Sequence, residues 1–143
     1  MSIPKAIYTV LNADSGITDE LSTYDFGGGA APSIFTFEPA PENAETPFIV
    51  IAPVSSSSGG ADRSTKAGVL SIDIKLWEKK GRSEETLRQL ADKIWFAMDR
   101  AILADDYFDS ISYCLATPPY RLLDPDGFVG FIISCRILVR KGV

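Results

Sequence analysis

The sequence predicts an α+β fold, a single mostly antiparallel or mixed sheet of four to five strands packed against two helices. Three observations predict it. "LSIDIKLW" places Leu70, Ile72, Ile74 and Leu76 on one face and Ser71, Asp73, Lys75 and Trp77 on the other, the period of a half-buried strand. "EETLRQLADKIWFAMDRAI" repeats its apolar residues at helical spacing. The chain then closes with two extended segments around "DPDG", a turn with proline second and glycine last.

The elements follow in order. A first helix is predicted through "SIPKAIYTVLN", with Ser2 as cap, Pro4 in the first turn, and Ile7, Val10 and Leu11 as its apolar stripe. "ITDELS" adds a further turn that faces Ile17 and Leu21 inward. Gly27 to Gly29 interrupt regular structure, since consecutive glycines lose the most entropy on ordering. A short strand is predicted at Ile34 to Phe37, and Pro39, Pro41 and Pro47 forbid a central strand across the rest of that segment. Phe48 to Ala52 is apolar at every position, so both faces of that strand should be covered.

The main helix is capped by Ser83 and carries Glu84 and Glu85 at its positive end. Its predicted core face runs from Leu87 through Leu90, Ala91, Ile94 and Met98 to Ala101 and Ile102. In the last strand, Val129, Phe131, Ile133, Cys135, Ile137 and Val139 face the core. Cys114 is assigned to the opposite side of the sheet from Cys135, which argues against a disulfide.

Residues 1–143 are read as one domain with a flexible loop at 55–68. That loop, "SSSSGGADRSTKAG", is far longer than a strand connection needs. Either it is a surface insertion, which is thermodynamically cheap, or it orders only against a neighbour. In the second case Arg63 and Lys66, its two cations, carry the contact.

Composition narrows the chemistry. The chain has no histidine and two cysteines, so Ser-His and Cys-His nucleophile systems and the usual zinc ligand sets cannot form within it. A net charge of −5 speaks against a nucleic-acid-binding surface. No apolar run reaches membrane-spanning length and no leader is recognisable, which leads to the expectation of a cytosol-like compartment. The acidic clusters at Asp105, Asp106 and Asp109, and at Asp124 and Asp126, read either as a divalent-ion site or as ordinary turn chemistry. The triglycine lacks the strand, helix and Lys-Ser or Lys-Thr of a phosphate loop. No catalytic residue, cofactor or metal is assigned, and the chain is not read as an enzyme. What stands out is apolar bulk at positions that periodicity gives to water, namely Trp77, Phe96 and Leu103.

Taken together, "SIPKAIYTVLNADSGITDEL", "ETPFIVI", "LSIDIKLWEKKGRSEETLRQLADKIWFAMDRAI" and "GFVGFIISCRILVRKG" resemble, in order and spacing, the tail terminator or tail completion proteins of long-tailed bacteriophages. The resemblance implies a small α+β subunit of the virion tail, made in the host cytoplasm, that forms a homohexameric ring. That ring would cap the head-proximal end of the tail tube, stop polymerisation of the tube protein and meet the head-side connector. DNA would pass through its lumen without specific binding, and no membrane or cofactor is involved. Arg63, Lys66, Trp77, Phe96 and Leu103 would then be candidates for the subunit or tube interface. The competing readings are another tail or neck component, such as a tube subunit or head–tail joining protein, and a small carboxylate-dependent enzyme.

Overall fold

The computed structural model describes residues 3–57, 67–79, 84–105, 110–124 and 127–140. Helix α1 spans Ile3–Asn12, and the one-turn α2 spans Ser15–Thr18. Asp14 caps α2, its carboxylate accepting the Gly16 N–H at 2.9 Å. Strands β1 (Thr23–Asp25) and β2 (Ala30–Pro32) form a small antiparallel ribbon of their own. Gly27 and Gly29 make its turn, at φ of 101° and 119°, where a side chain would be strained. The glycine run therefore shapes a hairpin instead of breaking regular structure.

The main sheet has the order β3-β4-β5-β9-β7-β6, and β8 also pairs with β9. Its members are β3 (Ile34–Phe35), β4 (Phe48–Ser57), β5 (Ala67–Lys79), β6 (Ile102–Asp105), β7 (Ser110–Ala116), β8 (Tyr120–Asp124) and β9 (Phe128–Arg140). The β3–β4 pair is parallel and the others are antiparallel. This is the α+β fold that the alternation predicts, with seven strands and a separate ribbon among the described residues in place of four or five. The long helix α3 spans Glu84–Met98.

The two faces of the sheet meet different partners. Ile49, Ile51, Ile72, Ile74, Leu76 and alternate residues of β9 point to the side covered by α1, α2 and α3. Phe48, Val50 and Ala52 point to the other side, where they meet Phe35, Trp77 and the 23–47 segment. All five residues of Phe48 to Ala52 are buried, as an unbroken apolar strand requires.

Two connections depart from the sequence reading. Strand β4 continues past Pro53 to Ser57, across a register shift at Pro53/Ser55, on a stretch that β3 does not reach. Ser55 to Ser57 and Ala67 to Gly68 are thus paired strand, and the rest of the 55–68 loop lies outside the described residues. Helix α3 stops at Met98. Arg100 then takes φ 65° and donates its N–H to the Cys114 carbonyl at 2.7 Å, turning the chain into β6.

On the far side of β9, β7 and β8 share one edge in succession. Thr117 fills the gap between them. Its N–H donates to Ser134 O at 2.9 Å, and its Oγ1 accepts the Ser134 N–H at 3.3 Å. Pro118 and Pro119, with no N–H to offer the ladder, fall where β7 and β8 separate. Among the described residues no helix is long and apolar enough to cross a membrane.

Candidate assembly surface

Helix α3 buries Leu87, Leu90, Ala91, Ile94 and Met98. At 100° per residue, Phe96 lies about 200° around the helix from Ile94 and points away from the sheet. It is 70% exposed. Its ring is nevertheless held, stacked on Trp95 with centroids 4.9 Å apart. Trp95 is anchored in turn, its Nε1–H donating to Ala116 O at 3.3 Å. Asp99, at the end of the helix, accepts the Ala116 N–H at 3.1 Å. Glu85 and Asp92 flank Phe96 on the same ridge, and neither has an ion-pair partner among the described residues. Two nearby charges are engaged, Glu84 with Arg121 at 2.7 Å and Lys93 with Glu20 at 3.1 Å, whereas Arg88, which lies between Glu85 and Asp92 along the helix, is exposed and in no ion pair among the described residues.

The other predicted interface residues fall elsewhere. Leu103 is 1% exposed and belongs to the core. The expectation of an outward helical position fails because the helix has already ended. On β6, strand alternation turns Leu103 inward and leaves Ile102, expected in the core, 70% exposed. Trp77 is half-buried, packed against the cluster of Phe35, Phe48, Val50 and Ala52 beside the 23–47 segment. Gly130, directly across from it on β9, makes room for the indole. Arg63 and Lys66 lie outside the described residues.

The cysteines also need correction. Cys114 sits across from Ile137, so it shares a sheet face with Ile137 and Cys135, and both thiols are buried in the same core. They are free. A hydrogen bond with Cys114, reinforced by burial, pushes the Cys135 thiol far above its ordinary range, so it stays protonated and unreactive. Among the described residues no three His, Cys, Asp or Glu side chains gather as a metal site. Asp106, Asp109 and Asp126 lie outside that description.

The outer face of the sheet divides into two halves. Over the first, the 23–47 segment lays down Tyr24, Phe35, Ala40 and Ala44. Lys75 and Glu38 clamp it with a 2.7 Å ion pair. Beside them an open groove of ≈ 450 Å³ runs between Pro39, Pro41, Phe48, Trp77 and Phe128. The second half, on β6, β7 and the end of β9, carries Ile102, Leu115 at 41% exposure and Leu138 at 41%. Arg136 lies across from Leu115, exposed and without an ion-pair partner among the described residues. Sequence reasoning did not single out this patch. The available signal was "CRILVR", where Leu138 is apolar on the parity that carries Ser134 and Arg136.

No protein-family model matches the sequence, and no curated protein matches it. Among solved structures, the chain is similar to one in the virion of a native gene transfer agent particle. The TM-score is 0.73 at 14% identity, and the alignment covers 99% of this chain and 96% of that one. At that identity the likeness establishes a shared fold, end to end in both chains.

Proposed function

We propose that this chain is a structural protein of a phage-like virion, and within it a tail terminator. It forms a homohexameric ring at the head-proximal end of the tail tube, ends tube polymerisation and joins the tail to the head-side connector. Its work is assembly and not catalysis, and it needs no cofactor. The observation that carries this reading is the end-to-end fold likeness to a chain of a gene transfer agent virion. The order of sequence segments points the same way. An excess of five negative charges suits a lumen through which DNA slides without being held.

A second reading is another tail or neck component, either a tube subunit or a head–tail joining protein. It is favoured by exposed apolar residues on opposite sides of the subunit, Phe96 on one and Leu138 on the other, which suit stacking as well as ring closure. Negative-stain imaging of the purified chain, alone and mixed with tubes of its tail tube protein, separates the two. Closed six-fold rings that sit at tube ends and stop their growth are the expected result. Continuous helical polymers of this chain alone would replace the terminator by the tube subunit, and rings that bind head connectors but ignore tubes would replace it by a joining protein.

A further inference from the structure

We propose that neighbouring copies of this chain dock head to tail, the outward ridge of α3 around Phe96 seating on the bare half of the sheet's outer face around Leu138. The inference rests on the ring reading above and names the contact that would build it.

The two surfaces lie on opposite layers of the subunit. Phe96 points away from the sheet beyond the helix layer, whereas Leu115 and Leu138 point away from the helices beyond the sheet. A contact between two different patches is heterologous, so each copy keeps one of each patch free until a ring closes.

Their chemistry is complementary. The helix ridge offers one rigid aromatic, pre-ordered on Trp95, beside the carboxylates of Glu85 and Asp92, which have no ion-pair partner among the described residues. The sheet patch offers aliphatic surface from Ile102, Leu115 and Leu138, with the guanidinium of Arg136 among them, in no ion pair among the described residues. An aromatic anchor on an aliphatic patch, ringed by opposite charges, is the composition of an interface centre and its rim. Self-pairing is disfavoured. Ridge against ridge would set the Glu85 and Asp92 carboxylates against their own copies, and sheet patch against sheet patch would oppose two Arg136 side chains.

The test uses the full chain, in whichever setting the wild type forms rings, alone or on tubes. Phe96→Glu and Leu138→Glu, made separately, should each keep a wild-type thermal unfolding curve and weaken assembly by about tenfold or more in sedimentation velocity. The charge variants Asp92→Arg and Arg136→Glu should each assemble poorly alone. Mixed one to one, they should recover rings of alternating subunits, since every interface then pairs opposite charges. If wild-type rings form and Leu138→Glu still assembles like the wild type, the contact is overturned while the ring reading stands. The contact is overturned in the same way if the two charge variants assemble poorly alone and do not rescue each other. If the wild type forms no ring in either setting, the ring reading falls and the contact falls with it.

Discussion

The outer face of the sheet has two halves that the same chain treats differently. Over Phe48, Val50, Trp77 and Phe128 it invests a 25-residue excursion, residues 23–47, and builds a second small core around Phe35. Phe35 is ringed by Tyr24, Phe26, Phe37 and Phe48, with centroids 5.3 to 5.9 Å away. Over Ile102, Leu115 and Leu138 no described segment is spent, although those residues are as apolar as the ones that are covered. The difference teaches that exposed apolar surface here is not a by-product of poor folding. Among the described residues, the outer face of the sheet is covered over Phe48 and Val50 and left open over Leu115 and Leu138.

Three substitutions test that contrast, and the largest effect belongs to the covered half. Phe35→Ala removes the hub of the aromatic cluster and should cost about 3–5 kcal/mol, read by denaturant unfolding. A loss under about 1 kcal/mol would mean that the excursion lies loosely on the sheet, and the contrast would collapse. Next is Gly130→Ala. A Cβ there would come within 2.6 Å of the Leu76 carbonyl oxygen and within 2.6 Å of the Trp77 ring. Because one of those atoms is backbone, the strand pair itself must shift, and a loss of about 1–3 kcal/mol with altered tryptophan fluorescence is expected. Unchanged stability and fluorescence would show that Trp77 does not need its seat on Gly130. The smallest effect belongs to the bare half. Leu138→Ser should change the stability of the isolated subunit by less than about 0.5 kcal/mol in thermal unfolding. A larger loss would show that Leu138 is already in use within its own subunit.

The parts of this fold that are legible in the sequence are those where local pattern and final environment agree. Phe48 to Ala52, apolar throughout, announces two covered faces without naming either cover. The alternation of β5 gives Ile72, Ile74 and Leu76 as core, and the stripe of α3 gives Leu87, Leu90, Ala91, Ile94 and Met98, failing only past the helix end at Ile102. Phe96 is legible because a residue opposite a well-formed stripe has nowhere to go but out.

The illegible parts depend on distant partners. Residues 99–103 carry neither glycine nor proline, and their apolar spacing continues the helix, so nothing local marks the stop at Met98. The stop is made by β7, whose Ala116 N–H and Cys114 carbonyl capture Asp99 and Arg100. The same reversal explains why Ile102 and Leu103 exchange their expected roles. Cys114 falls on the face opposite to the expected one because "ISYCLA" mixes apolar residues on both parities, and only pairing with β9 decides between them. The bare sheet half is illegible for a related reason: which half the 23–47 segment covers is a tertiary choice.

Strand β9 has one further consequence, a mechanical one. It pairs with β5 along its whole length, Phe128 to Arg140, and on its other edge with β8 and then β7. At the rise of an extended chain its 13 residues span about 40 Å. A pull applied along that axis would load both ladders in shear, so that many hydrogen bonds must yield together instead of opening one after another. Thr117, stitched to Ser134 where β7 and β8 separate, keeps the load path from narrowing at its midpoint. A subunit with such a spar through its centre resists stretching along the strand direction far better than peeling at the short edge strand β6, and an axial force would be carried through β9 from one end of the sheet to the other.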